Sequence, residues 1–256
     1  MIRDRSWLDP VRAALERRTS ECTFFFRDDD AGWVDDRLFL LLDRFEAHEL
    51  PADVAVIPAA VTGPTARRLR STARATRIRL HQHGFSHTDH EIEGRKCEFG
   101  DSRALDRQAA DIVSGRDLVL AIFGDLVDPV FTPPWNRCRP ETGAVLVEAG
   151  LHVLSRDSTA PRLDRPGLPE VPVTVDWFGR HKKVPLTRAE IAQRIGEQVA
   201  GDDPVGVMLH HAVTDDDELA RIDDLLDLVA SHPMATSTTI AALARPVAEQ
   251  GRPAAQ

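Results

Sequence analysis

The stretch Leu80-His-Gln-His-Gly-Phe-Ser-His-Thr-Asp-His90 contains four of the ten histidines in a chain of 256 residues. It begins at the end of the apolar run Ile78-Arg-Leu80, which is typical of a strand that opens into a loop. Imidazole is the commonest metal ligand among side chains. His83 and His87 have the spacing His-x-x-x-His, which allows both rings to reach one ion. The alternative is a polar loop whose histidines are only solvated. Residues elsewhere in the chain are needed to choose between a metal site and such a loop.

Outside this stretch, predicted strands alternate with predicted helices for most of the chain. The predicted strands include residues 23–26, 54–57, 78–81, 129–132, 151–154, 171–175 and 205–209. Helix 36–49 has a stripe of leucines at helical spacing, and Thr187-Arg-Ala-Glu190 is a capping box. Alternation of this kind indicates a parallel sheet with helical crossovers, and about eight candidate strands favour a closed or nearly closed α/β barrel.

The composition changes nowhere sharply, so we predict one catalytic barrel over residues 23–245. Residues 1–22 are predicted to add a helix that packs on the barrel, starting at Asp9-Pro10 with the aspartate as N-cap. Residues 246–256 are predicted to be a flexible tail.

The net charge and the cysteine content limit the kinds of binding partner and the cell compartment that we expect. The net charge is −9, and the arginines are scattered among acids, so we expect no nucleic-acid partner. No apolar run approaches the length of a membrane span, and residues 1–20 lack the apolar core of a signal peptide. Cys22, Cys97 and Cys138 form neither a disulfide framework nor a Cys-x-x-Cys site, which favours a cytoplasmic location. The oligomeric state is left open.

Polar and aromatic residues gather directly after the predicted strands. They are Asp28, Asp29 and Asp30; His83 and His87; Trp135 and Asn136; Asp176 and Trp177; and His210 and His211. The carboxyl ends of all strands in a barrel open onto one face, which carries the chemistry. We therefore expect these distant segments to meet at one site.

The aspartate triplet could supply one metal ligand and one general base, or it could be a solvated acidic turn. One aspartate with two histidines would hold zinc and leave a position open for water. The same set resembles the two-histidine, one-carboxylate triad of ferrous oxygenases, and the ligand count does not separate the two.

His210 and His211 end a predicted strand, where only one of two neighbouring rings can easily face the barrel axis. That ring could protonate a leaving group, or it could be a structural histidine. Trp135 and Trp177 could line a substrate pocket or belong to the core.

Taken in order, the motifs resemble those of the polysaccharide deacetylases (NodB-homology, carbohydrate esterase family 4), as a divergent branch. The first motif is similar to Phe26-Arg-Asp-Asp-Asp-Ala-Gly32, and the second matches His83-Gly-Phe-Ser-His87. The resemblance implies a distorted (β/α)7–8 barrel of the TIM type and a divalent metal, usually zinc. It implies that Asp30, His83 and His87 are metal ligands and that Asp29 is the general base, with Asp28 as the alternative.

The remaining motifs are more divergent. The third is similar to Phe131-Thr-Pro-Pro-Trp135, but Thr132 stands where the family usually has an arginine that orients the base; Arg27 or Arg137 could replace it. The fourth corresponds to Asp176-Trp177, and the fifth, Val207-Met-Leu-His210, implies that His210 is the general acid, with His211 as the alternative. Substrate contacts are predicted at Trp135, Asn136, Asp176, Trp177 and His211.

The resemblance implies a zinc-dependent hydrolase that removes an acetyl group from an N-acetylated sugar, an oligosaccharide or a related small amide. Two alternatives stay open. The same scaffold could remove a formyl group or cleave another C–N amide bond, or the protein could be a catalytically silent member that binds a sugar.

Overall fold

The computed structural model describes residues 4–181 and 184–245. The strands are β1 (Cys22–Ala31), β2 (Ala52–Val56), β3 (Ile78–His83), β4 (Val127–Thr132), β5 (Val153–Leu154), β6 (Val175–Asp176), β7 (Arg180–His181), β8 (Val184–Pro185), β9 (Val205–Leu209) and β10 (Ala235–Ser237). The helices are α1 (Asp9–Glu16), α2 (Asp35–Ala47), α3 (Gly63–Ala75), α4 (Leu105–Phe123), α5 (Thr142–Glu148), α6 (Arg188–Val199), α7 (Asp216–Ser231) and α8 (Ile240–Leu243).

Eight strands form one parallel sheet in the order β5-β4-β3-β2-β1-β9-β6, and β10 pairs with the first residues of β1. Segment 169–174 connects the two edges through its backbone. The Val171 and Val173 N–H groups donate to the Leu154 and Arg156 carbonyls at 2.9 and 2.8 Å, and Thr174 N–H donates to the Gly206 carbonyl at 2.8 Å. The predicted distorted α/β barrel is thereby confirmed.

The central strand β1 separates two apolar layers because its side chains alternate between faces. Phe24 and Phe26 point outward into the core shared with the surrounding helices, and the Phe26 ring packs edge-on against Phe45 of α2 at 5.3 Å. Phe25 points inward, where a Cβ added to Gly206 would lie 2.3 Å from its ring. Burial of each phenylalanine stabilises the fold by roughly 1.5–3 kcal/mol, which fixes β1 in the middle of the sheet.

The inner apolar layer closes the end of the barrel where the strands begin. Phe25, Val130, Val173 and Met208 form this layer together with Ile240 of α8. Since α8 follows β10, which pairs with the start of β1, it covers that end. The inward side chains that follow Phe25 along β1 therefore approach the opposite, open end.

Several predicted boundaries are corrected. β1 does not stop at Phe26 but continues to Ala31, so the aspartate triplet lies inside the strand. Asp9 lies in the first turn of α1, whose N-cap is Leu8. The predicted strand 171–175 is largely irregular, with only Val175–Asp176 in β6. The capping box at Thr187 is confirmed.

Helix α1 packs on the barrel through buried Val11 and Leu15, which belong with the N-cap residue Leu8 to the same core as the strands. The predicted tail at 246–256 lies outside the described residues. Among the described residues, no helix has the combination of length and apolar character that crossing a bilayer requires.

Candidate active site

Three side chains from two strand ends converge at the open end of the barrel. Asp30 lies near the end of β1, His83 ends β3, and His87 follows in the next loop. Asp30 Oδ1 lies 3.2 Å from His83 Nε2 and 3.1 Å from His87 Nε2. The three potential ligand atoms all lie within 4.8 Å of one another.

This arrangement fits a divalent cation. Two atoms that bind one tetrahedral zinc at about 2.1 Å lie about 3.4 Å apart, close to the observed separations. His83 Nδ1 donates to the Thr132 carbonyl at 3.0 Å, which leaves the Nε2 lone pair free for a metal. Burial opposes the ionisation of Asp30, but the neighbouring imidazoles outweigh it and hold the pKa of the Asp30 carboxyl below its usual value. Among the described residues the cluster offers three potential ligands, so a cation held there would keep coordination positions open.

Backbone strain is concentrated around these ligands. Asp30, His87, Trp135 and Asn136 have φ angles of 74°, 56°, 55° and 59°, in the left-handed region. Such a conformation costs a non-glycine residue on the order of 1–3 kcal/mol, and strained residues of this kind cluster at functional sites.

The loop between the two histidines is fixed by Glu98, which is fully buried. Glu98 Oε1 accepts from the Ser86 N–H at 2.8 Å and the Ser86 hydroxyl at 3.0 Å, while Oε2 accepts from the Phe85 N–H at 3.2 Å. A Cβ added to Gly84, whose φ is +55°, would lie 2.2 Å from Glu98 Oε2, so only glycine fits there. Glu98 thereby orients the backbone that presents His87.

Replacing Glu98 with glutamine is expected to weaken zinc binding about 10- to 100-fold, because the amide group cannot accept from all these donors and the loop is released. Competition with a chromogenic chelator measures this affinity. Glu91→Gln is the matched control, since Glu91 bonds to Ser102 in the same region and contacts neither Phe85 nor Ser86. Equal zinc affinity of the Glu98 variant and the wild type would show that Glu98 does not position the ligand loop.

Asp29 points into the barrel and is clamped by Arg27, two residues earlier on the same face of β1. Arg27 Nε and Nη2 donate to the two Asp29 oxygens at 2.8 and 2.9 Å. Burial favours the neutral acid, but the positive charge of Arg27 outweighs it and lowers the pKa of the Asp29 carboxyl. Asp29 is therefore ionised at neutral pH and able to accept a proton.

Arg27 is itself held on all sides. It is fully buried, and its guanidinium also donates to Ser155 Oγ at 3.0 Å and Asn136 Oδ1 at 2.7 Å. Arg137, the other arginine considered for this role, donates to the Lys96 carbonyl instead. The arginine expected at position 132 is thus replaced by one on β1.

His210 follows β9 and lies beside the carboxylates. Burial acts to raise the pKa of Asp29, Asp30 and Asp176, and the electrostatic effect of His210 opposes that rise. For Asp176 burial is the larger effect, and the pKa of its carboxyl is raised. His210 is only partly buried, so its ring is accessible to a ligand.

A cavity of about 630 Å³ opens next to these residues. Trp135, Asn136 and Asp176 contribute to its wall. The Trp135 ring lies edge-on to the His87 ring, with centroids 4.4 Å apart, so the cavity adjoins the potential metal ligands.

No protein-family model matches the sequence, and no curated protein matches it. Solved structures do match. A protein from Mycobacterium smegmatis assigned as a polysaccharide deacetylase superimposes with a TM-score of 0.67 at 14% identity, over 89% of this chain and 90% of that one. The chain has the fold of the polysaccharide deacetylases.

Two further structures carry the same fold. One is a cobalt complex of a family 4 acetyl xylan esterase from Clostridium thermocellum, with a TM-score of 0.54 at 14% identity over 85% of this chain and 87% of that one. The other is a mutant of a carbohydrate esterase family 4 pseudoenzyme from Bacillus anthracis with restored enzymatic activity, with a TM-score of 0.56 at 13% identity over 89% and 68% of the two chains. The deacetylase fold thus occurs in both active and inactive proteins.

Within the deacetylase fold, Asp28 and His211 form a buried pair that supports the β1 end. Asp28 accepts from the His211 N–H at 2.9 Å and from Nδ1 at 2.6 Å, and His211 Nε2 donates to the Trp33 carbonyl at 2.7 Å. Burial works against protonation, but the charge of Asp28 outweighs it and raises the pKa of His211 to about 9. His211 is fully buried, so its predicted contact with substrate is corrected to a structural role.

This pair predicts a pH-dependent stability. Because the pKa of His211 rises from about 6.5 in the unfolded chain to about 9, its contribution is complete below pH 6.5 and is lost as the pH rises through 9. The contribution is on the order of 3 kcal/mol. In urea unfolding, His211→Asn should lie far below the wild type at pH 6, with the gap shrinking at pH 9. The exposed variant His152→Asn is the control, and a gap that is constant with pH would contradict the assignment.

Trp177 is also corrected, because its side chain is fully buried. Its indole N–H donates to Glu218 at 2.8 Å, the Arg188 guanidinium lies 4.8 Å above its ring, and Trp7 packs edge-on at 5.9 Å. It is a core residue and not a wall of the cavity.

Two residues that support the site had no assigned role in the sequence-based interpretation. They are Glu98, which holds the loop that carries His87, and Ser155, which accepts from Arg27. The spacing of Arg27 and Asp29, two residues apart on a strand, was a usable signal for the clamp. Glu98 lies far along the loop and gave no local signal.

Proposed function

We propose that the protein is a metal-dependent hydrolase that removes an acetyl group from an N-acetylated sugar or a related small amide. The observation that carries this proposal is the convergence of Asp30, His83 and His87 beside Asp29, a carboxylate that Arg27 keeps ionised. The deacetylase fold supports it, and so does the cobalt complex of the acetyl xylan esterase.

A divalent cation, for which zinc is our choice, would polarise the acyl carbonyl and lower the pKa of the attacking water when held by the three ligands. Asp29 takes a proton from the attacking water while the oxygen of that water bonds to the acyl carbon. The C–N bond then breaks, and His210 gives its proton to the departing nitrogen. The products are acetate and a free amine.

Each remaining residue of the site has an assigned task. Arg27 fixes the orientation of Asp29 and its charge, so a base at this position needs no arginine at position 132. Trp135, Asn136 and Asp176 line the cavity and are proposed to contact the sugar.

Cys22, Cys97 and Cys138 are free thiols, and a cytoplasmic location stays a prediction.

The test is an assay of the zinc-loaded protein with N-acetylglucosamine, its chitin oligomers and N-formylglucosamine. Separate enzymatic detection of acetate and formate decides between deacetylation and deformylation. We expect acetate release that stops after treatment with a chelator and returns with zinc or cobalt. Absence of both products with zinc, cobalt and manganese across a broad panel of amides would favour the catalytically silent, sugar-binding alternative.

A further inference from the structure

The cavity beside the metal ligands is rich in arginine. Four guanidinium groups line it, from Arg95, Arg137, Arg156 and Arg194. They come from four separate segments: the loop after β3, the turn after β4, the residues after β5, and helix α6. In a chain with a net charge of −9, this local excess of positive charge is not explained by composition.

Of these four arginines, only Arg156 forms an ion pair with a carboxylate among the described residues. Within residues 4–181 and 184–245, Arg95 and Arg194 form no ion pair, and the Arg137 side chain donates only to the Lys96 carbonyl. Arg156 is buried and held by Glu170 at 2.7 Å and by the Pro161 carbonyl at 2.8 Å. The donors free to bind a ligand are therefore those of the exposed Arg95 and Arg194.

The cavity wall contains two carboxylates, Asp157 and Asp176, against four arginines. Asp157 accepts from the Thr159 N–H at 2.8 Å and Asp176 from the Phe178 N–H at 2.9 Å, and burial raises the pKa of Asp176. Burial, followed by the charge of Arg95, lowers the pKa of Arg137, in line with repulsion between these two cations. An anion between them would relieve that repulsion.

We propose that this cavity binds an oxyanionic group, phosphoryl or carboxyl, on the same sugar whose amide is hydrolysed, an inference that rests on the proposed function. Guanidinium groups bind both oxyanions through paired hydrogen bonds. A cavity of about 630 Å³ adjoining His87 through Trp135 has room for a sugar and its anionic substituent. A neutral acetylated polymer would leave Arg95 and Arg194 without an anionic partner.

The experiment is calorimetric titration of the zinc-loaded protein with N-acetylglucosamine, its 1-phosphate, its 6-phosphate, N-acetylmuramic acid and inorganic pyrophosphate. The phosphates and the carboxylate separate the two sources of the oxyanion. Each titration is repeated with Arg95→Gln/Arg194→Gln and with Arg70→Gln, an exposed arginine on α3 that serves as the matched control. Acetate release is measured in parallel.

We expect at least one anionic sugar to bind about tenfold or more tightly than N-acetylglucosamine, and the double variant to lose that preference while Arg70→Gln keeps it. Equal affinities for neutral and anionic sugars, or a preference that survives the double substitution, would overturn the inference. Anion preference without acetate release would instead refute the proposed function and leave the binding site standing.

Discussion

His83→Ala is expected to abolish zinc binding and to reduce amide hydrolysis by at least about a thousandfold, since the cation supplies several kcal/mol of stabilisation to the developing charge. The reason is geometric. His83 is fully buried, with Nδ1 bound to the Thr132 carbonyl and Nε2 3.2 Å from Asp30 Oδ1, and alanine leaves that corner of the site without a ligand. Elemental analysis and acetate release measure the two losses.

His90→Ala is the matched control for this prediction. His90 belongs to the same histidine-rich stretch, but it is not part of the cluster formed by Asp30, His83 and His87. It should keep one zinc per chain and its activity. Full metal content in His83→Ala, or an equal loss in His90→Ala, would refute the ligand assignment.

Asp29→Asn is expected to lower kcat about 10²- to 10⁴-fold, the range typical of a lost general base. Zinc content and KM should change little, because Asp29 is clamped by Arg27 and is not one of the three ligands. This combination separates the base from the ligands, whose loss removes metal and activity together. Stopped assays over a range of substrate concentrations, with elemental analysis, provide the measurement.

Asp53→Asn tests whether the effect is specific. Asp53 is also buried, lies on the neighbouring strand and pairs with Arg27 in the sheet register. Burial raises the pKa of Asp53 to about 8, so asparagine resembles the protonated acid already present at neutral pH. The variant should retain most of the activity. A loss as large as that of Asp29→Asn would mean that both changes act through the fold.

The sequence was sufficient for the fold and for the cluster of potential metal ligands. Alternating strands and helices predict a parallel barrel, and the spacing of His83 and His87 indicates two ligands close together in the chain. The convergence of Asp30 with them follows from barrel geometry, since strand ends meet on one face. These parts depend on periodicity and topology, not on the details of packing.

The remainder depends on packing that no short pattern encodes. Trp177 and Asp176 are neighbours, yet the indole enters the core and the carboxylate lines the cavity. His211 is the next residue after His210, but its ring is hydrogen-bonded to the buried Asp28. Glu98 is 12 residues from Ser86 in the sequence, yet it accepts directly from the Ser86 N–H because the chain folds back. Such roles emerge only when the strand ends are placed in space.

The most direct measurement is a crystal structure of the zinc-loaded protein, with the metal located by anomalous scattering. We expect one zinc bound by an Asp30 oxygen and by Nε2 of His83 and His87, at about 2.0–2.2 Å. Asp29 should stay on Arg27, outside the coordination shell. A cation bound elsewhere, or one that recruits Asp29 as a ligand and breaks its pair with Arg27, would contradict this account of the site.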